Sequence, residues 1–149
     1  MRLIGLDYGR RTVGVAVSDP LGLTAQPLET IVRKEEHTLR RTLARLEELC
    51  RVYEVERIVL GLPLNMDDSE GERAALTRAF GEKLVQRTGL PLSYEDERLT
   101  TLEAEEVLRA AGLPKKEWKK HLDQMAASLI LRSYMEKERR HGQDSVSGR

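Results

Sequence analysis

RLIGLDYGRRTVGVAVS, residues 2–18, contains two strand-like segments separated by a short polar turn. Residues 2–7 are mostly apolar, and residues 12–18 alternate Val13, Val15 and Val17 with small side chains. Alternation with a period of two is typical of a β-strand, and Gly9 suits a tight turn between two strands. This stretch predicts an antiparallel hairpin at the start of a sheet.

The chain beyond this hairpin changes from strand periodicity to an alternation of helices and strands. A third extended segment is expected over residues 27–33. Helical spacing then recurs in the set Leu39, Leu43, Leu46, Cys50 and Tyr53. Further strands are expected over residues 57–62 and 91–95, each followed by helix. Three strands followed by this alternation predict an α/β domain with a mixed sheet and helices packed on its faces.

The later helices carry recognisable start signals. Ser69 and Glu72 have the spacing of a capping box, as do positions 100 and 103. Leu76, Phe80 and Leu84 form an apolar stripe that is expected to be buried. The last helix is expected over residues 119–140. We therefore expect one domain over residues 1–140 and a flexible C-terminal tail over residues 141–149.

Composition limits the possible classes of protein. The 149 residues suit a single globular domain, and 25 basic side chains balance 25 acidic ones. Binding to a polyanion must therefore depend on local basic patches. The single cysteine, Cys50, excludes an intrachain disulfide framework and a cysteine-based zinc cluster. No apolar run suggests a membrane span or a secretory signal, so the cytoplasm is the expected location.

Carboxylates stand at three unusual places in the sequence. Asp7 ends the most apolar strand, Asp96 and Glu97 follow another strand, and Asp123 begins the apolar stripe of the last helix. Each has an ordinary explanation as a turn residue, a solvated strand end or a first-turn acid. Together, however, they could meet at one rim of the sheet. Such an oxygen-rich cluster would suit Mg²⁺ or Mn²⁺ and two-metal hydrolysis of a phosphodiester.

Basic side chains lie next to two of these acids in the sequence. Arg10 and Arg11 follow Asp7 closely, and several lysines precede Asp123. Such groups could hold phosphates, although an ordinary solvated loop is the favoured explanation for the lysines. Asn65, in the loop over residues 61–71, could bind a phosphate or simply stabilise a polar connection. The candidate nucleic-acid-binding residues are Arg10, Arg11, Asn65, Arg98, Lys116, Lys119 and Lys120.

Five short motifs add a resemblance. The segments GLDYG (5–9), VGVAVSD (13–19), GLPLNMD (61–67), DERLTT (96–101) and DQMAA (123–127) follow one another along the chain. In this order the chain resembles the YqgF (RuvX) family of pre-16S rRNA nucleases, which is also described as Holliday-junction-resolvase-like. The resemblance implies a ribonuclease H-like fold with a five-stranded mixed sheet. It also implies that Asp7, Glu97 and Asp123 are the catalytic, metal-holding residues.

The resemblance implies a metal-dependent nuclease that matures the 5′ end of pre-16S rRNA during ribosome biogenesis. The expected partners are pre-rRNA and ribosomal precursor particles, with the chain acting as a monomer or a homodimer. One alternative is a resolvase of branched DNA, which would need a two-fold dimer. Another is a ribosome-assembly factor that binds nucleic acid without cutting it. The turn after Asp7 also resembles the phosphate loop of actin-like ATPases, but 149 residues are too few for their two domains.

Two positions depart from the family pattern. Thr12 stands where the family usually has a basic residue, and Asp68 stands where it commonly has glycine. The resemblance therefore implies no phosphate contact at position 12. The backbone at position 68 must suit aspartate, which tolerates the left-handed conformation better than most residues.

Overall fold

The computed structural model describes residues 1–98 and 100–147, with the side chains of all of these except 100, 101, 119, 120 and 142–147. Five strands precede or alternate with four helices. The strands are β1 (Leu3–Tyr8), β2 (Thr12–Ser18), β3 (Ala25–Val32), β4 (Arg57–Leu62) and β5 (Leu92–Asp96). The helices are α1 (Arg40–Val52), α2 (Glu72–Thr88), α3 (Thr100–Ala110) and α4 (Lys115–Ser147). Among the described residues, no helix has the length and apolarity to cross a membrane.

The five strands form one mixed sheet in the order β3-β2-β1-β4-β5. β1 pairs with β2, and β2 with β3, in antiparallel fashion, while β1–β4 and β4–β5 are parallel. The predicted hairpin is confirmed, because the Gly9 N–H donates to the carbonyl of Thr12 at 2.8 Å. The predicted mixed sheet of five strands is also confirmed. The carboxyl ends of β1, β4 and β5 therefore lie at one rim.

One face of the sheet carries the larger apolar core. Alternate side chains of β1, β2 and β4, among them Ile4, Leu6 and Leu60, pack against α1 and α2. Phe80 of α2 stacks on the ring of Tyr8, with centroids 4.1 Å apart and planes 12° apart. Burial of these aliphatic and aromatic side chains removes apolar area from water and holds the two helices in place.

The opposite face lies almost directly against α4. A Cβ added at Gly5 would stand 2.7 Å from the Cβ of Leu131 and 2.9 Å from the carbonyl oxygen of Ala127. Gly14 and Gly61 are crowded in the same way by residues on that face. Three adjacent strands thus present glycine to one helix, which lets the helix backbone approach the sheet closely. α3 packs against α4 on its outer side.

Several predicted helix details are wrong. The N-cap of α2 is Gly71, and the Ser69 hydroxyl donates to Asp67 at 2.5 Å instead of capping the helix. Leu76 is 37% exposed, whereas Phe80 and Leu84 are buried. The last helix starts at Lys115 and continues to Ser147, so the backbone of residues 141–147 is helical. The side chain at position 100, part of the second expected capping box, and residues 148–149 of the expected tail lie outside the described residues.

Candidate functional site

The candidate site lies at the carboxyl rim of the sheet, on the α4 face. Asp7 is the penultimate residue of β1, with its neighbours Leu6 and Tyr8 both directed into the α1–α2 core. Successive strand side chains point to opposite faces, so Asp7 points towards α4. Glu97 follows β5 directly, and its N–H donates to the carbonyl of Leu62 at 3.3 Å. Both carboxyl groups are half-buried.

Asp7 and Glu97 meet across β4. Their side chains are joined by a hydrogen bond that lowers the pKa of Asp7 and raises the pKa of Glu97. A hydrogen bond between two carboxyl groups requires a proton, so the pair shares one. Gly61 makes this meeting possible, because a Cβ at that position would overlap Oε2 of Glu97 and stand 3.1 Å from its Cδ.

Asp123 reaches the same rim from α4. Asp7 and Gly14 are register partners on β1 and β2, and a Cβ on Gly14 would overlap the carbonyl group of Asp123 and stand 3.0 Å from its Cβ. The charge of Asp123 also raises the pKa of Asp7. The structure therefore brings the three sequence-predicted acids to one part of the molecule.

Burial is the main cause of abnormal titration at this site. It raises the pKa of Asp7, and the negative charge of Asp123 adds to the rise. Burial, together with the charge of Asp7 and the hydrogen bond to it, raises the pKa of Glu97 to about 9. Arg73 opposes both shifts, because its positive charge lowers the pKa of each acid. Paired acids with strongly perturbed pKa values are frequent at functional sites.

The donor chemistry fits a hard divalent cation. Asp7 and Glu97 offer carboxylate oxygens, the ligands that Mg²⁺ and Mn²⁺ favour, and a cation would replace the proton that the pair now shares. Asp123 stands slightly apart. Over the side chains that the structure describes, no three histidine, cysteine, aspartate or glutamate residues are close enough together to hold a metal ion. Of the three acids, only Asp7 and Glu97 are thus joined by a hydrogen bond between described side chains.

Asp96, the neighbouring acid, has a different role. Its carboxylate accepts two bonds from Arg98, at 2.9 Å from Nε and 2.7 Å from Nη2, and this interaction lowers its pKa. Nη1 of Arg98 contacts Asp68 at 2.8 Å and reaches the carbonyl of Asn65 at 3.3 Å. Arg98 therefore ties the end of β5 to the loop between β4 and α2.

That loop has the conformation expected from its sequence. Asp68 has φ of 70°, the left-handed region, and its N–H donates to the carbonyl of Asn65 at 2.9 Å. The predicted tolerance of aspartate at this position is confirmed. The Asn65 amide donates to the Ser69 hydroxyl at 3.0 Å, so this side chain braces the loop. Asn65 and Arg98 are both engaged in holding local structure.

The remaining basic candidates are divided between two places. Arg10 and Arg11 are exposed at the hairpin between β1 and β2, close along the chain to Asp7. Lys116 is exposed in the first turn of α4. The side chains of Lys119 and Lys120 lie outside the described residues. Trp118 donates its indole N–H to the carbonyl of Leu113 at 2.8 Å, so it packs the junction between α3 and α4.

Arg73 is the functional candidate that sequence reasoning missed. It lies in the first turn of α2, pairs with Glu36, and has its guanidinium 5.6 Å from the ring centroid of Tyr8. No motif or periodicity distinguishes it from the other arginines in the sequence. Only the folded chain shows that its charge acts on both Asp7 and Glu97.

Comparison with known proteins shows which family the chain belongs to. A sequence model of the RuvX family, described as Holliday junction resolvase, matches residues 1–137. The chain belongs to the RuvX family. A relative from Lachnospira eligens is 56% identical over 140 residues, which cover 94% of this chain and 100% of that protein. A relative from Agathobacter rectalis is 49% identical over 136 residues, or 91% of this chain and 95% of that protein. Both carry the provisional name pre-16S rRNA nuclease.

Solved structures support the fold of this RuvX family member. RuvC of Thermus thermophilus in complex with a Holliday junction substrate matches with a TM-score of 0.58 and 17% identity, over 91% of this chain and 96% of that one. A second T. thermophilus RuvC structure matches with a TM-score of 0.55 and 16% identity, with the same coverage. The predicted ribonuclease H-like fold is confirmed, as is the predicted family.

Proposed function

We propose that this chain is a metal-dependent nuclease that hydrolyses phosphodiester bonds in structured RNA, and that its reaction is the maturation of the 5′ end of pre-16S rRNA. The observation that carries the proposal is the hydrogen-bonded pair Asp7–Glu97 at the sheet rim, with Asp123 beside it. The provisional names of relatives at 49–56% identity support the choice of RNA. Precursor ribosomal particles are the natural context for such a substrate.

Asp7, Glu97 and Asp123 are the residues that would hold Mg²⁺ or Mn²⁺. Bound there, the cation supplies positive charge for the developing negative charge on the phosphate and lowers the pKa of water. Asp7 sits between the other two acids and is the member that both of them influence. Glu97 must lose its proton for its carboxylate to act as a ligand. Arg73 makes that loss easier, because its charge lowers the pKa of both acids.

The surroundings of the acids restrict their motion. The carbonyl group of Asp123 is packed on Gly14, and the carboxyl group of Glu97 is packed over Gly61. Asp123 and Glu97 are thus held in place by close contact with the sheet, and Asp7 is part of that sheet. Such fixed placement is what hydrolysis needs, because small displacements of a reacting group cost large factors in rate.

Cleavage of a 5′-extended 16S rRNA fragment tests the proposal. Wild-type protein is expected to cut the RNA with Mg²⁺ and not with EDTA, and Asp7→Asn is expected to reduce kcat by at least about 100-fold, as loss of a central charge in an active site does. Asp19→Asn is the matched control. Asp19 accepts the N–H groups of Leu23 and Thr24, both at 2.7 Å, in the loop after β2, and its asparagine retains an acceptor oxygen.

Full activity of Asp7→Asn would refute the mechanism. The description of the family as Holliday junction resolvase makes branched DNA the second candidate substrate. A four-way DNA junction in the same assay separates the two. Symmetric cutting of the junction by a dimer, with the RNA left intact, would favour the resolvase. Binding of the RNA without cutting, in the presence of either metal, would favour the non-catalytic assembly factor.

A further inference from the structure

A strongly basic groove lies on the α1–α2 side of the molecule, away from the face that α4 covers. It is formed by the end of β3, the connection over residues 33–39, the start of α1 and one side of α2. Lys34, Arg40, Arg41 and Lys83 line it and are exposed. None of these positions belongs to the basic candidates found from the sequence motifs.

The positive charge of the groove is largely uncompensated. Of its arginines, Arg45 pairs with Glu29 and Glu48, and Arg87 lies 3.6 Å from Glu47. Lys34, Arg40, Arg41 and Lys83 form no ion pair with any residue whose side chain is described. Glu35 is the one acidic residue among those that line the groove, and it lies 3.1 Å from His37. In a chain of zero net charge, this is a marked local excess.

The start of α1 adds to this excess. Its N-cap is Leu39, which makes no side-chain cap hydrogen bond, and its first turn contains no acid. The helix begins instead with Arg40 and Arg41. A helix N-terminus carries partial positive charge and unpaired N–H groups, so two cations there are unfavourable in the free protein. An anion in the groove would remove this conflict.

Arg33 connects the groove to the hairpin beside the acids. It lines the groove but is only 7% exposed, and its Nη2 donates to the carbonyl of Gly9 at 2.8 Å. Its guanidinium lies 4.8 Å from the ring centroid of Tyr8, and its Nη1 is buried without a hydrogen-bond partner. The Arg33 N–H also donates to the carbonyl of Arg11 at 2.7 Å.

This connection places the groove at the same rim as Asp7. Tyr8 is the register partner of Val13, which in turn is the register partner of Ile31 on β3. The end of β3 is therefore two strand spacings, roughly 10 Å, from the end of β1. The exposed Arg10 and Arg11 lie at the hairpin between these strands. The exposed hairpin arginines thus lie at the same rim as the acids and the groove.

We propose that this groove is a second phosphate-binding site, which holds the backbone of an RNA stem whose neighbouring segment lies at the acids. The proposal rests on the proposed function. Phosphate contacts of this kind fix the position of a nucleic acid without selecting its sequence. The groove would therefore set the distance between the held stem and the bond that is cut.

Binding measured without cleavage tests this proposal. The probe is a fluorescein-labelled RNA hairpin with a single-stranded 5′ extension, titrated with full-length protein in EDTA over a range of salt concentrations. Arg40→Gln/Arg41→Gln is compared with the control Arg51→Gln/Arg140→Gln. Both doubles remove two exposed positive charges, and Arg51 belongs to the same helix as the groove pair. Thermal unfolding is recorded for both doubles, since exposed positions should leave the fold intact.

The groove double is expected to raise Kd about tenfold and to reduce the slope of log Kd against log salt by about 1.5 to 2, as loss of two phosphate contacts does. The control is expected to change Kd by less than about twofold. Equal effects of the two doubles, or none from either, would overturn the proposal. EDTA prevents metal-dependent cutting, so the binding assay does not depend on the proposed nuclease activity. If Asp7→Asn retains its cleavage activity while the groove double still weakens binding, the proposed function fails and the groove proposal stands.

Discussion

Replacing Gly14 with alanine would put one methyl group between β2 and α4. The added Cβ would overlap the carbonyl group of Asp123 and stand 3.0 Å from its Cβ, and these atoms are fixed to the helix backbone and cannot rotate away. Overpacking of a well-packed interior lowers the free energy of unfolding by about 1–3 kcal/mol. The loss for Gly14→Ala should be about 3 kcal/mol, because the obstructing atoms belong to the backbone. For a chain of this size, that lowers Tm by about 6–12 °C. Relief of the overlap must push Asp123 away from Asp7.

Gly71→Ala is the matched control for this prediction. A Cβ at Gly71 would meet Nδ2 of Asn65 at 3.4 Å, an ordinary contact, and its φ of −101° suits alanine. Its cost should stay at about 1 kcal/mol or less, the loss from a poorer N-cap. Thermal unfolding gives both stabilities, and RNA cleavage with Mg²⁺ gives both rates. A Gly14→Ala protein with the stability and rate of Gly71→Ala would refute the reasoning that α4 is located by contact with this glycine.

Three further perturbations test the electrostatics. Between pH 4.5 and about 9 the folded state holds the Glu97 proton more tightly than the unfolded state, so the free energy of unfolding should fall by about 1.4 kcal/mol per pH unit. Urea unfolding at several pH values measures this slope, and Glu97→Gln should remove most of it. Arg73→Gln should raise the pKa of Asp7 and Glu97 further, which would move the acid limb of kcat/KM to higher pH; an unmoved limb contradicts this. Lys137→Met should destabilise the fold by about 2 kcal/mol, because the Glu95 carboxylate, 4% exposed, loses its cation; thermal unfolding at neutral pH checks this.

The sheet could be predicted from the sequence because its signals are local. The alternating Val13, Val15 and Val17 and the turn at Gly9 specify a hairpin within a few residues, and the apolar segment over residues 57–62 specifies a buried strand. The meeting of Asp7 with Glu97 could be predicted too, because acids at the carboxyl ends of parallel strands in one sheet share one rim, here across the intervening strand β4.

Other features could not be predicted, because they depend on competing local hydrogen bonds or on tertiary contacts. Ser69 has the spacing of a capping residue, but its hydroxyl donates to the nearby Asp67 carboxylate instead of capping α2. The spacing of residues alone does not show which of two possible hydrogen bonds will form. The importance of Arg73 depends on where α2 begins relative to β1, which is a tertiary property. The glycines at positions 14 and 61 do not by themselves predict the close approach of α4 or Glu97, since glycine in a strand can equally well indicate a bulge.

The alternation along β1 has a consequence for the whole molecule. Tyr8 is clamped in one layer by its stack with Phe80, while the adjacent Asp7 serves the other layer. Rotation of β1 about its own axis would move both side chains at once. The stacked Tyr8 ring therefore fixes the orientation of the Asp7 carboxylate. The aromatic pair lies on the other face of the sheet from Asp7. Substitution of Tyr8 or Phe80 should therefore reorient the Asp7 carboxylate and lower the catalytic rate before it unfolds the protein.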